Sequence, residues 1–462
     1  MQCHGSFGKA MFNTFKNIES TYDVENISYK GEQVWAYLRN HYFAETIKSI
    51  TTTYNDKNKS IFFRKGLGIV QKSLYGFGHW FRSYEYLVFS SSNNRQYIDG
   101  NYREKSFEKM MEIVGQDKFL LIEEASTAYY PKKLVPTKHI VSRNLLSLFS
   151  SLLTRTVTPF YKQDISIKLL DAMNDNENCK VDYQSIIIRF IIVKNFMKFF
   201  LKIYKPKVIF VSCYYGKQEI IKAAHELNIK VVEAQHGMIG SKHFAYNLNK
   251  KLQSAYFPDV LLSYGTYEKC IIEQNKNNPF TQIYALGSDA LEQILQESIP
   301  KDLQGLVSKY RYSLSVSTQY TVEEEVALFV KSLALKHKDV CFMFSLRHFE
   351  KVYYEKLDLP KNIYLFKGEF SCYDILRVSN AHLSAYSTCA LEALFFDKKS
   401  ILYNIHNLAT QIMGEITNEN LYIIENENDF TKIYDKSLKE KQNELYKKNY
   451  EKNIKKFIEK EL

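Results

Sequence analysis

Short apolar runs, each breaking abruptly into a polar loop and most followed by a stretch of helical period, recur along this chain. That alternation limits the folds open to it more than any single motif. "YEYLVFSSS" (84–92), "KFLLIEE" (118–124), "KVIFVSC" (207–213) and "KVVEAQ" (230–235) read as buried strands. Between the last two, "YYGKQEIIKAAHELNI" puts Ile220, Ile221, Ala224 and Leu227 on one side of a helix, making a strand–helix–strand unit with parallel strands. "PDVLLSYG" (258–265) and "QIYALGS" (282–288) add two strands. A second cycle starts at "YRYSLSVSTQ" (310–319), with helices expected over 322–337, 371–380 and 388–397 and strands over 340–349, 361–368, 381–387 and 399–404.

The expectation is an α/β chain of two Rossmann-like, doubly wound halves facing a cleft. A length of 462 residues exceeds what one compact core accommodates. The first domain is expected over 1–285 and the second over 286–445. The Lys/Glu-rich end, 446–462, reads as a helix with a solvated charged face.

Composition narrows the class. With 45% hydrophobic and 24% charged residues, the chain is globular rather than disordered. Seven scattered Cys without a CxxC pair argue against a disulfide framework or a structural zinc site, and suit a reducing cytoplasm. The opening residues lack the apolar core of a signal peptide. The most apolar segment, "SIIIRFIIVKNFMKFFLKIY" (185–204), is broken by Arg189, Lys194, Lys198 and Lys202, which disqualifies it as a membrane span. The three Lys recur every fourth residue, so it reads as a buried helix with a solvated basic edge; attachment to a membrane surface is the alternative. A net charge of +11 also leaves open a non-catalytic protein binding RNA or lipid headgroups, although the basic residues are spread out rather than gathered on one element.

In open parallel sheets ligands bind where loops leave the carboxyl ends of strands. Four such places carry chemistry. "SAYSTCALEAL" (384–394) sets Ser387 and Thr388 at a helix start, where free N–H groups and hydroxyls suit a phosphate, with Glu392 one turn in for a ribose hydroxyl. The alternative there is a plain N-cap. Arg347 and His348 end another strand and would neutralise a leaving phosphate. Gln319, after the first strand of the second half, is expected to line the same pocket. In "EAQHGM", His236 follows a strand and has the ordinary acidity of a general base, with Gln235 before it and Gly237 allowing a sharp turn. Glu123 and Glu124 end a further strand and offer a rival base. Arg95 and Asp99, in a polar loop, and Gln235 are candidate acceptor contacts, with Asp99-Gly100 also readable as a turn. Asp-x-Asp, P-loop, GxGxxG and HExxH patterns are missing, so no metal site and no cofactor are expected.

Taken together, these residues resemble bacterial GT-B glycosyltransferases of surface-polysaccharide synthesis. "SAYSTCALEA" is similar to the Ser/Thr motif of sialyl- and Kdo-transferases and of the polyol-phosphate transferases, and "SLRHFE" to their His-Pro motif, with Phe349 in place of Pro. "EAQHGM" resembles the Gln-x-Trp-His-Gly element of the polyol-phosphate transferases, lacking its Trp. "LIEEASTAYY" resembles the acidic pair of sialyltransferases, with Ala125 where Gly is expected. The resemblance implies a cytoplasmic, metal-independent transferase moving a sugar from a nucleotide-sugar donor to a capsule or lipopolysaccharide glycan or its lipid-linked precursor. It implies peripheral contact with the inner membrane and no nucleic-acid partner. Arg347, His348, Ser387, Thr388, Glu392 and Gln319 would hold the donor, and His236 or Glu124 would serve as base. A transferase using a CDP-activated polyol-phosphate donor is the alternative within the same resemblance.

Overall fold

The computed structural model describes residues 15–50, 72–125, 129–161, 165–177, 179–319, 322–346, 357–439 and 445–462. They fall into two compact units. One runs to Ala290 and takes in Lys447–Leu462; the other spans Leu291–Tyr446.

The first unit is built on seven parallel strands: β1 (Tyr86–Ser91), β2 (Phe119–Glu124), β3 (Ile140–Ser142), β4 (Val208–Val211), β5 (Lys230–Ala234), β6 (Val260–Ser263) and β7 (Gln282–Ala285). Their order across the sheet is β7-β6-β5-β4-β1-β2-β3. Both faces are covered, which is why the strands read as continuous apolar runs. Leu87, Phe89, Leu120, Ile122, Ile209 and Val211 enter one core, and Tyr86, Val88, Phe119, Leu121, Val208 and Phe210 enter the other, alternating residue by residue.

The terminal helix Tyr450–Glu461 belongs to this unit. Tyr450, Ile454 and Phe457, at helical spacing, are buried in the second of these cores while its lysines stay outside. On the other face lies the helix Tyr183–Tyr204. Its basic edge is only partly solvated: Lys194 is buried and bonded to Glu32 and to Glu226 (2.9 Å), Lys198 reaches Glu226 (2.6 Å), and Lys202 alone of the three is exposed.

The second unit holds six parallel strands: β8 (Tyr312–Val316), β9 (Val340–Ser345), β10 (Ile363–Phe366), β11 (Ala381–Ser384), β12 (Lys399–Tyr403) and β13 (Leu421–Ile424). Their order is β10-β9-β8-β11-β12-β13. Numbered within itself, each unit therefore reads 3-2-1-4-5-6, with one strand added in the first. This is the Rossmann order, whose reversal point lies between strands 1 and 4. The doubly wound, Rossmann-like α/β fold expected of a GT-B chain is present in both units. Two edge strands, β3 and β13, are not among those expected from the pattern.

Gly287 sits at φ +98°, and a Cβ there would stand 2.0 Å from the Lys447 carbonyl oxygen, where the chain returns to the first unit. Gly287→Ala should therefore cost about 1–3 kcal/mol of stability in a denaturant melt. Gly237→Ala, at a position where a Cβ meets nothing within 4 Å, should leave the melt within roughly 0.5 kcal/mol of the parent.

Candidate functional site

In the first unit the reversal point falls between β1 and β4, and the loop leaving β4 runs through Cys213, Tyr214, Tyr215, Gly216 and Lys217. Gly216, at φ +84°, makes the turn there. Gly237 does not occupy the left-handed region, so the sharp turn expected beside His236 belongs to the neighbouring loop instead. His236 leaves the adjacent β5, and its Nε2 lies 2.7 Å from the Tyr215 hydroxyl. Among the described residues its buried Nδ1 has no hydrogen-bond partner. Burial, helped by nearby His243, Lys105 and Lys217, lowers its pKa to about 4, so the ring is neutral at pH 7.

Beneath it, Glu233 on β5 is fully buried. One carboxyl oxygen accepts from the Tyr214 N–H (2.9 Å) and the Tyr246 hydroxyl (2.7 Å), and the other has no partner among the described residues. Desolvation raises its pKa to about 8, which keeps the acid protonated at neutral pH. Lys217 is also buried, donates to the Cys213 carbonyl (2.8 Å) and is pushed down by desolvation. Cys213, Glu233 and His236 offer ligand atoms within 4.8 Å of one another, a donor set of the kind that holds zinc. Burial pushes the thiol up to about 12, so binding an ion there would first require losing protons from both thiol and carboxyl, beside the lysine.

The other residues expected in this half separate. Gln235 is buried and fully engaged: its amide donates to the Gly237 carbonyl (2.7 Å) and Glu268 (3.0 Å), and its oxygen accepts the Tyr264 N–H (2.7 Å). It braces the loop that carries His236. Glu124 faces outward, paired with Arg143 at 2.7 Å. Glu123 points inward to Arg95 at 2.6 Å, with Glu108 4.0 Å from the same guanidinium. Arg95 is thus a buried partner of carboxylates. Asp99, at φ +46° before Gly100 at φ +75°, forms the tight turn of the hairpin Arg95–Ile98/Asn101–Glu104.

In the second unit the reversal point lies between β8 and β11, and the loops leaving these two strands carry Gln319, Ser387 and Thr388. Gln319 accepts the Tyr386 N–H at 3.4 Å and joins the two loops, while its buried amide nitrogen has no partner among the described residues. Ser387 accepts the Cys389 N–H (3.3 Å), a capping bond at the start of the helix Cys389–Phe395. Thr388 is exposed and makes no such bond. Glu392 lines a small cavity with Ser317, Ser345, Cys372, Tyr373 and His382. Arg347 and His348 lie outside the described residues.

His382 was not anticipated. It stands inside β11 between the hydroxyls of Ser315 (2.9 Å) and Ser317 (3.0 Å), and burial lowers its pKa to about 3. Tyr215, Glu233, Tyr246 and Lys217 were missed in the same way. For Glu233 and His382 the available signal was a titratable residue inside an apolar strand, as in "KVVEA" and "AHLS"; Tyr215, Lys217 and Tyr246 lie in loops, where no such pattern marks them.

No family model matches the sequence, and no curated protein matches it. Among solved structures, a UDP-GlcNAc 2-epimerase from Methanocaldococcus jannaschii aligns over 81% of this chain and 98% of its own, at 10% identity and TM-score 0.49. The Neisseria meningitidis UDP-GlcNAc 2-epimerase bound to UDP-GlcNAc aligns over 81% and 98%, at 14% identity and TM-score 0.47. A wall teichoic acid polymerase, TagF, aligns over 86% and 90%, at 12% identity and TM-score 0.41.

The Glu233 assignment has a measurable sign. Its pKa is near 8 folded and near 4.5 as the ordinary value. The folded state therefore holds the extra proton between those limits, and stability falls as pH rises through them. The wild-type melting temperature should drop more between pH 6 and pH 9 than that of Glu233→Gln. Parallel curves for the two proteins would show that the carboxyl is ionised in the folded state.

Proposed function

We propose that this chain is a glycosyltransferase that moves a sugar from a nucleotide-activated donor to a growing surface glycan, without a metal ion. The observation that carries the reading is the coincidence of chemistry with topology. In each unit, polar side chains gather at the strand-order reversal, where Rossmann-like sheets take their ligands: Gln319, Ser387 and Thr388 in one, and Tyr215, Lys217 and the adjoining His236 in the other.

In this reading the second unit takes the donor. The Thr388 hydroxyl and the open amide of Gln319 would donate to phosphate oxygens, and Glu392 would meet the ribose. Arg347 and His348 follow β9, the strand beside β8, and would balance charge on the departing phosphate. The first unit supplies the base. His236 is favoured over Glu124 because its ring is neutral with an open nitrogen, whereas Glu124 is exposed and held by Arg143. With Nε2–H donated to the Tyr215 hydroxyl, Nδ1 is the free acceptor. The acceptor hydroxyl then gains the sugar, its proton passes to Nδ1, and the nucleotide leaves with the bridging phosphate oxygen.

His236→Ala should lower kcat by about 100- to 10,000-fold with little change in stability, and Glu124→Ala by only a few-fold. Comparable losses in both would remove the distinction. The acid limb of the wild-type pH–rate profile should fall near pH 4 rather than near 6.5, matching the lowered pKa of His236. Donor chemistry is read by thermal shift against CMP, CDP, UDP and GDP. A nucleotide at 100 times its Kd stabilises by about 2.7 kcal/mol, and Gln319→Ala with Thr388→Ala should abolish that gain. Activity should survive EDTA; loss on chelation, restored by zinc and absent from Cys213→Ser, would instead assign the Cys213–Glu233–His236 cluster to a required ion.

A further inference from the structure

The helix Asn144–Tyr161 carries much of its apolar surface outside. None of its residues is buried. Its half-buried side carries Ser150, Thr154 and Thr158, whose hydroxyls bond back to carbonyls of their own helix at 2.7–3.1 Å. Leu148, Phe149, Leu152, Leu153 and Phe160 are exposed, and of its leucines only Leu145 and Leu146 are half-buried, Leu146 packing against the core. A helix of a globular protein ordinarily buries the apolar stripe and exposes the polar one.

The exposed apolar surface extends beyond this helix. Phe149 meets Phe196 of the helix Tyr183–Tyr204 at a ring-centroid distance of 6.5 Å. At the far end of that second helix, Phe200 and Tyr204 pack on Trp80 of the turn Phe77–Phe81. Along the three elements Leu152 is 62% exposed, Phe199 and Ile203 63%, Phe81 77% and Phe160 79%, in a chain whose other large apolar side chains mostly fill the cores that cover the two sheets. Residues 74–82, 144–161 and 183–205 contain no Asp or Glu, yet carry Arg82, Arg155, Arg189, Lys202 and Lys205, all exposed.

We infer that this face is an interfacial docking surface for an anionic lipid bilayer, on which the protein rests without crossing. Among the described residues no helix is long and apolar enough to span a membrane, so the apolar side chains enter only the headgroup–acyl boundary. The charge decides the occupant. Anionic headgroups complement the Arg/Lys rim, whereas a second copy docking face to face would set that rim against itself. The inference uses no residue of either candidate site and stands apart from the donor reading.

Flotation of the full-length protein with phosphatidylglycerol-containing vesicles tests it. The wild type should float with anionic vesicles at low salt and much less with pure phosphatidylcholine. The triple variant Leu152→Ser, Phe160→Ser, Phe199→Ser should lose on the order of tenfold in vesicle partitioning while keeping the wild-type melting temperature. Arg155→Glu with Lys202→Glu should weaken binding selectively to anionic vesicles. Equal flotation of wild type and triple variant overturns the inference. So does a wild-type dimer, seen by light scattering, that the triple variant converts to monomer, since the face would then belong to a second copy.

Discussion

Parallel pairing governs what this chain can do. Two parallel strands can be joined only by a crossover that returns over the sheet, so every strand in a unit points its carboxyl end to the same edge. All the loops that follow strands then meet on one side. With the order 3-2-1-4-5-6, the crossovers leave strands 1 and 4 toward opposite faces and open a crevice between their loops. Residues far apart in sequence, such as Gln319 and Tyr386, become hydrogen-bond partners for this reason. So do Tyr215 and His236, which follow neighbouring strands.

Burial does the electrostatic work at the first of these edges. Glu233 and His236 lie at the end of one strand, and desolvation acts on them in opposite directions, raising the acid and lowering the imidazole, because in both cases it opposes charge. The result is a neutral cluster in which protons sit on the carboxyl and the tyrosines, and the imidazole keeps a lone pair. Lys217, also buried, is pushed down for the same reason. The carboxyl, the imidazole and the tyrosines, neutral but titratable, are poised to move a proton without first surrendering an ion pair among themselves. Glu124, solvated and paired with Arg143, lacks that property.

The outer face of the first unit obeys a different logic. The helix Tyr183–Tyr204 satisfies one side by sinking Lys194 into carboxylates and its apolar residues into the core. Its other side, the helix Asn144–Tyr161 beside it and the Phe77–Phe81 turn keep apolar groups outward, and the same segments carry exposed basic residues. Within one unit the same residue types thus serve a core on one surface and an interface on another, and only the direction in which the side chains point distinguishes them.

How much of this was legible before the fold was known can be seen residue by residue. Strands from β1 to β12, apart from β3, announce themselves as apolar runs because both sheet faces are covered, and the loops after them place His236, Gln319, Ser387 and Thr388 at strand ends by spacing alone. Arg95 and Gln235 looked like ligand contacts, since a polar residue in a loop carries no mark of what it will meet; the tertiary structure pairs one with Glu123 and uses the other to tie its own loop to Tyr264 and to Glu268 of a helix. Glu233 and His382 looked like ordinary strand residues until burial changed their acidity. The sequence by itself determined the alternation, and with it the class of sheet and the edge on which chemistry would lie, because those depend on local periodicity. Which side chains share a site, which are neutral and which face outward were decided only by the folded structure, because desolvation and pairing are set by neighbours that the chain brings together from a distance.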